Sequence, residues 1–140
     1  MMTLLIAILT LGACTAARWY LERPGRRERS AFGGRVRLTA LWNKGAAFGL
    51  PLGREVLIVL STLALAATAL FWRRRNPFGA GLVLGGGISN LWERLRRGKV
   101  LDYLRFPAAP GKLGKYVYNL ADLALFLGAV LLALFPRRRG

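Results

Sequence analysis

The sequence predicts an all-α integral membrane protein, a bundle of four transmembrane helices forming one domain over residues 1–140. Three observations carry this expectation. Hydrophobic residues make up 54% of the 140, and they fall in four long blocks rather than in the short periodic runs of a soluble core. The chain carries 22 Lys and Arg against 6 Asp and Glu, a net charge of +16, and many of these cations flank the apolar blocks, where anionic headgroups attract them. The intervals at 21–55 and 93–115 are polar and rich in Arg, Gly and Pro, the composition of loops. A charge of this size would point to nucleic acid in a soluble protein. Beside apolar blocks it points to lipid, so membrane lipid is the expected partner and nucleic acid is not.

In chain order, the first span is expected at about 3–20, closing on Arg18-Trp19-Tyr20 as an interfacial anchor. It is short, and a signal peptide competes with it, although the basic n-region such a peptide needs is missing. Leu11-Gly-Ala-Cys14 has the shape of a lipobox, so Cys14 is open to two readings, a lipidated cysteine or a small packing residue. Residues 35–42 alternate, with Val36, Leu38, Ala40 and Trp42 on one face and Arg35, Arg37 and Thr39 on the other. That period of two reads as a half-exposed strand. Residues 43–51 follow as a turn and a short interfacial apolar piece. The second span is expected at 56–72 and the third at 78–92, joined by the basic loop Arg73-Arg-Arg-Asn-Pro77. Gly81 and Gly85 in the third, four apart, give a smooth face for close helix packing. Asn90 near its end does not suit a lipid-facing position.

The fourth span is expected at 116–135. It carries Asp122, roughly 9 Å below Tyr116 at about 1.5 Å per residue. An ionisable group inside a span is a functional-site candidate. Four spans place both termini on one side, and Asp102 and Asp122, the only aspartates, on the opposite face. The polar stretches on the two sides are equally basic, so charge alone does not choose between the two orientations. The chain has no His, which excludes Ser-His-Asp triads and most zinc sites. Its one Cys excludes an internal disulfide. No metal or other cofactor is expected. Two carboxylates at one membrane face are the smallest set of parts for an aspartic protease, because close carboxylates share one proton and divide acid from base. For Asp102 an ion pair with Arg94 or Arg105 is the alternative.

Three stretches extend this reading: Asn43-Lys-Gly-Ala-Ala-Phe48; Gly85-Gly-Gly-Ile-Ser-Asn-Leu-Trp-Glu-Arg94 running on through Gly98-Lys-Val-Leu-Asp-Tyr103; and Tyr118-Asn-Leu-Ala-Asp122. In content and order they resemble the lipoprotein signal peptidases (signal peptidase II) of bacteria, over nearly the whole chain after Leu41. The resemblance implies an aspartic endopeptidase that cleaves prolipoproteins on the amino side of a diacylglyceryl-modified cysteine, with Asp102 and Asp122 as the catalytic dyad. It implies that Asn43, Gly45, Asn90, Arg94, Asn119 and Ala121 line or support the site, with Asn43 and Arg94 on the substrate backbone and Asn90 and Asn119 orienting the carboxylates. It also implies a small extracytoplasmic β-sheet, a short interfacial helix, residence in the bacterial inner membrane and both termini in the cytoplasm. A monomer is the expected state.

Two stretches depart from the family pattern. The family has an aspartate and, four residues on, a lysine at the end of its first span, where this chain has Cys14 and Arg18. It has Asp-Arg where this chain has Glu93-Arg94. Glu93 keeps the charge, so a structural ion pair can survive there. A non-catalytic relative that binds lipidated signal sequences, and a small lipoprotein with a lipobox at Leu11–Cys14, are the competing functional readings.

Overall fold

The computed structural model describes residues 1–23, 29–45 and 50–136. Among these residues four α-helices are formed: α1 (Met2–Glu22), α2 (Arg54–Phe71), α3 (Pro77–Arg97) and α4 (Leu120–Leu134). Four short strands lie between them: β1 (Arg29–Ala31) and β2 (Val36–Asn43) after α1, then β3 (Val100–Arg105) and β4 (Val117–Tyr118) after α3. The strands form one antiparallel sheet in the order β1-β2-β3-β4. The chain is thus helical with a small sheet. The alternating stretch at 35–42 forms a strand from Val36, extended by one residue to Asn43, while Arg35 lies in the turn before it.

Of these helices α1 and α2 are long and apolar enough to cross a membrane. Only 11% of the apolar window in α1 and 6% of that in α2 is buried within the protein, so their side chains face outward. α4 is apolar but has 15 residues. α3 has 21, but its glycines and its polar last turns dilute its hydropathy.

α3 is the central helix and packs against the other three. It starts cleanly because Asn76 caps it, accepting from the Gly79 N–H, with Pro77 supplying a preset φ at the first position. The same Asn76 amide donates to the Leu131 carbonyl at 2.9 Å, tying the start of α3 to the end of α4. Its glycines are contact surfaces. A Cβ on Gly85 would lie 2.6 Å from the Ala7 carbonyl oxygen of α1, and one on Gly86 would lie 2.8 Å from the Ala121 carbonyl oxygen of α4. Gly81 also meets α1, at Ile6, so the glycine face expected from spacing is real and is used by α1.

Two boundaries and one side chain differ from the sequence expectation, each for a physical reason. α3 runs on to Arg97, because Glu93-Arg-Leu-Arg-Arg97 are good helix formers and the three arginines suit the negative end of the helix. Gly98, at φ 72°, then ends it in the left-handed conformation. α4 begins at Leu120 rather than at 116, because Val117 and Tyr118 pair with Arg105 and Leu104 as strand β4. Arg18 does not anchor at the interface. Its side chain turns inward to Glu93, Nε to Oε1 at 2.8 Å, leaving Trp19 and Tyr20 exposed. The interfacial piece expected after Asn43 falls largely on residues 46–49, outside the described ones.

The compact core joins the two parts. Leu21 of α1 and Leu101 and Tyr103 of β3 are buried together, with Leu38, Ala40 and Trp42 of β2 and Leu120 of α4 packed around them. The sheet thereby sits on the ends of α1 and α4. A bulge in β2 between Leu38 and Leu41 shifts the register against β3 by one residue, after which Leu41 opposes Asp102 and Asn43 opposes Val100.

Candidate active site

Asp102 and Asp122 come from different elements. Asp102 is in the middle of β3 and is buried, 4% exposed. Asp122 is the third residue of α4 and half-buried. It therefore lies in the first turn of its helix, about 4.5 Å along the axis from the cap residue Asn119, rather than deep in a span.

Asn119 joins the two. As N-cap of α4 its side-chain oxygen accepts from the Asp122 N–H at 2.9 Å, while Asp122 Oδ2 accepts from the Asn119 N–H at 2.9 Å. This reciprocal capping box satisfies donors that a helix start leaves free. The amide nitrogen of the same Asn119 donates to Asp102 Oδ1 at 3.0 Å and lies 3.1 Å from Asn90 Oδ1. Asn90 in turn donates to Asp122 Oδ1 at 3.2 Å. From the other side Asn43 donates to Asp102 Oδ2 at 3.0 Å. Each of the four carboxylate oxygens thus has one fixed donor and retains acceptor capacity.

Asp102 has no ion-pair partner among the described residues, so the alternative of a pair with Arg94 or Arg105 is not realised. Burial pushes its carboxyl up to about 7, and the nearby charge of Asp122 pushes in the same direction. Hydrogen bonds from Asn43 and Asn119 and the Arg94 charge oppose the rise. A carboxyl at about 7 can hold or release a proton near neutrality, which a surface aspartate cannot.

The other expected site residues converge here. Ala121 is buried against Gly86. Gly45 donates its N–H to Asn43 Oδ1 at 2.9 Å and offers its carbonyl to Arg94 at 2.9 Å. Asn43, expected on the substrate backbone, has both ends of its amide engaged, on Asp102 and on Gly45. Arg94 is buried, and its Nε has no hydrogen-bond partner among the described residues.

Sequence reasoning missed a supporting layer. The Glu93 carboxylate accepts from the Leu101 N–H at 2.8 Å, next to Asp102, while also pairing with Arg18. α1 and α3 thereby fix the strand that carries Asp102. An ion pair at Glu93 was legible, but its partner across 75 residues was not. The phenol oxygen of Tyr103 accepts from the Leu120 N–H at 3.0 Å, satisfying another free donor at the start of α4. No sequence signal marks this bond. Cys14 is buried beside Ser89, Asn90 and Asn119 at a small cavity of about 10 Å³ behind the dyad. It acts there as a packing residue.

With this geometry in hand, the comparisons with known proteins are specific. The sequence model of the family described as signal peptidase (SPase) II matches residues 4–136. The lipoprotein signal peptidase of Pelotomaculum thermopropionicum is 44% identical over 103 residues, 69% of this chain and 64% of that protein. That of Chlorobium phaeobacteroides is 40% identical over 116 residues, 74% and 73% of the two chains. Among solved structures, a bacterial membrane enzyme determined in meso at 1.9 Å superimposes with a TM-score of 0.81 at 19% identity, over 94% of this chain and 90% of that one. Another, at 2.3 Å, gives 0.78 at 21% identity over 94% and 86%. The last two share the fold, and the family model covers the catalytic candidates and their supports alike. This chain belongs to the signal peptidase (SPase) II family.

Proposed function

We propose that this chain is a membrane-embedded aspartic endopeptidase that removes signal peptides from prolipoproteins, cutting on the amino side of a diacylglyceryl-modified cysteine. The observation that carries the reading is that its only two aspartates, 20 positions apart in sequence, are held on one asparagine, Asn119. Family membership supports the substrate class, and the geometry supports the chemistry.

In this account the pair holds one proton. Asp102, pushed up to about 7, carries it and donates a hydrogen bond to the scissile carbonyl oxygen. The Asp122 carboxylate takes a proton from water, and the hydroxyl oxygen attacks the carbonyl carbon as the C=O pair moves onto oxygen. Collapse of the tetrahedral intermediate breaks the C–N bond, and the proton taken from water passes to the leaving amine. The network of Asn43, Asn90 and Asn119 keeps both carboxylates in place without reorganisation. The unengaged Arg94 Nε is suited to a substrate carbonyl.

We read all four helices as spans, with α3 and α4 covered by their neighbours and by lipid, and with both termini in the cytoplasm of a bacterial inner membrane. The chain then acts as a monomer. The dyad, at the start of α4 and under the sheet, lies at the extracytoplasmic membrane boundary. A signal sequence enters sideways from the bilayer, and its acyl chains contribute binding by leaving water. Cys14, 3% exposed inside α1, is poorly placed to be a lipobox cysteine. The test is cleavage of a diacylglyceryl-modified prolipoprotein in liposomes, with the product N-terminus read by mass. A product beginning at the lipidated cysteine is expected, and none from the unmodified precursor. Equal cleavage of both forms, or cleavage elsewhere, contradicts the proposal.

A further inference from the structure

A second concavity lies on the outer face of α1 and α3. It is about 420 Å³ in volume, within the range of small-molecule sites. Its floor is apolar, formed by Leu11 of α1 and Ile88 and Trp92 of α3, and its upper wall is Trp19, Arg96 and the Arg97–Glu22 pair. Ile88, Trp92 and Arg96, four apart, form one stripe of α3. Asn90 and Arg94, which face the dyad, are each two positions on from Ile88 and Trp92, about 160° around the helix at 3.6 residues per turn. The groove and the catalytic cleft therefore open on different sides of α3.

The charges at its rim do not balance. Arg18 is taken by Glu93 and Arg97 by Glu22. Arg96 is exposed and has no anionic partner among the described residues. Arg23 adds a further cation, stacked 3.6 Å over the Trp19 ring. Trp19 and Trp92 are 59% and 57% exposed, the placement of indoles at a headgroup boundary. An apolar floor beneath two tryptophans and an unpaired arginine matches one kind of molecule, with hydrocarbon chains below and a phosphate above.

We propose that the α1–α3 groove binds one anionic glycerophospholipid of the bilayer, with its phosphate at Arg96 and its chains against Leu11, Ile88 and Trp92. The inference rests on the membrane-spanning reading of α1 and α3, but not on the proteolytic one. A lipid held there covers the outer side of the two helices that brace β3 through Arg18 and Glu93.

The test is native mass spectrometry of the full chain in detergent, titrated with phosphatidylglycerol or phosphatidylcholine of identical acyl chains. One phosphatidylglycerol is expected to stay bound under activation that strips phosphatidylcholine. Arg96→Glu should weaken it at least fivefold and Arg96→Gln less, whereas Arg74→Glu, an equal charge change in the loop between α2 and α3, should leave it unchanged. Trp92→Ala should weaken both lipids. Equal retention of the two lipids, equal loss in the Arg96→Glu and Arg74→Glu variants, or a second copy of the chain in place of lipid would overturn the proposal. Prolipoprotein cleavage by Arg96→Glu in phosphatidylcholine liposomes should match the parent. Its loss would make the groove part of the substrate site, overturning this proposal while leaving the peptidase reading intact.

Discussion

At the scale of single residues, the site depends on amides more than on charges. Asn119 caps a helix and holds both carboxylates, and Asn43 and Asn90 each add one donor. Burial and the Asp122 charge raise the Asp102 carboxyl, and the bonds from Asn43 and Asn119 temper the rise. Cleavage should fall on the alkaline side with a midpoint near 7, as the shared proton is lost from Asp102. Asn43→Ala removes a bond that favours the ionised form. The folded-state pKa then rises, and the alkaline limb should move to higher pH. A pH profile of kcat/KM for the two proteins checks the sign, and a shift to lower pH would contradict it. That the two aspartates meet was legible in sequence, because the block layout puts both polar stretches, and with them Asp102 and Asp122, at one end. The task of Asn43 was not legible. Asn43 was expected on the substrate but holds Asp102, since which partner an amide takes depends on the bulged β2–β3 register and not on local spacing.

At the scale of elements, α3 does the positioning. Its glycines let α1 and α4 approach, and Gly86 sits against the Ala121 carbonyl, one residue from Asp122. Gly86→Ala should destabilise the protein by about 1–3 kcal/mol through overpacking and lower kcat more than KM, by displacing the first turn of α4. Gly12→Ala is the control, because a Cβ there meets nothing within 4 Å. It should leave thermal stability and cleavage unchanged or slightly improved. Equal behaviour of the two variants would remove α3 packing from the account. The glycine face was legible from the four-residue spacing. The start of α4 was not, because Tyr116-Val-Tyr118 is apolar enough to extend a helix and becomes strand only by pairing with β3. Tertiary pairing overrode the local pattern.

At the scale of the whole molecule, two outward-facing apolar helices, a central glycine-rich helix and a small sheet place the dyad at the end of the bundle. The four helices were legible as blocks, but which membrane face holds the site was not, since the basic stretches on the two sides are alike. A Cys14→Ser background with a single cysteine at position 74 or 112 settles the orientation. An impermeant maleimide added to intact spheroplasts should label position 112 and spare 74, and the reverse pattern would invert the topology.

The proposed joint role of Asp102 and Asp122 in the hydrolysis makes each indispensable. Its most direct test is single-turnover cleavage of a diacylglyceryl-modified prolipoprotein by the parent, Asp102→Asn and Asp122→Asn, with thermal unfolding of each variant in the same detergent. Asn keeps the shape of the side chain but cannot serve as the base. Cleavage by the parent is expected, with a loss of about 10³-fold in each variant, the middle of the range for one acid–base group, and with folding retained. A folded variant that still cuts at a rate near the parent's would contradict it.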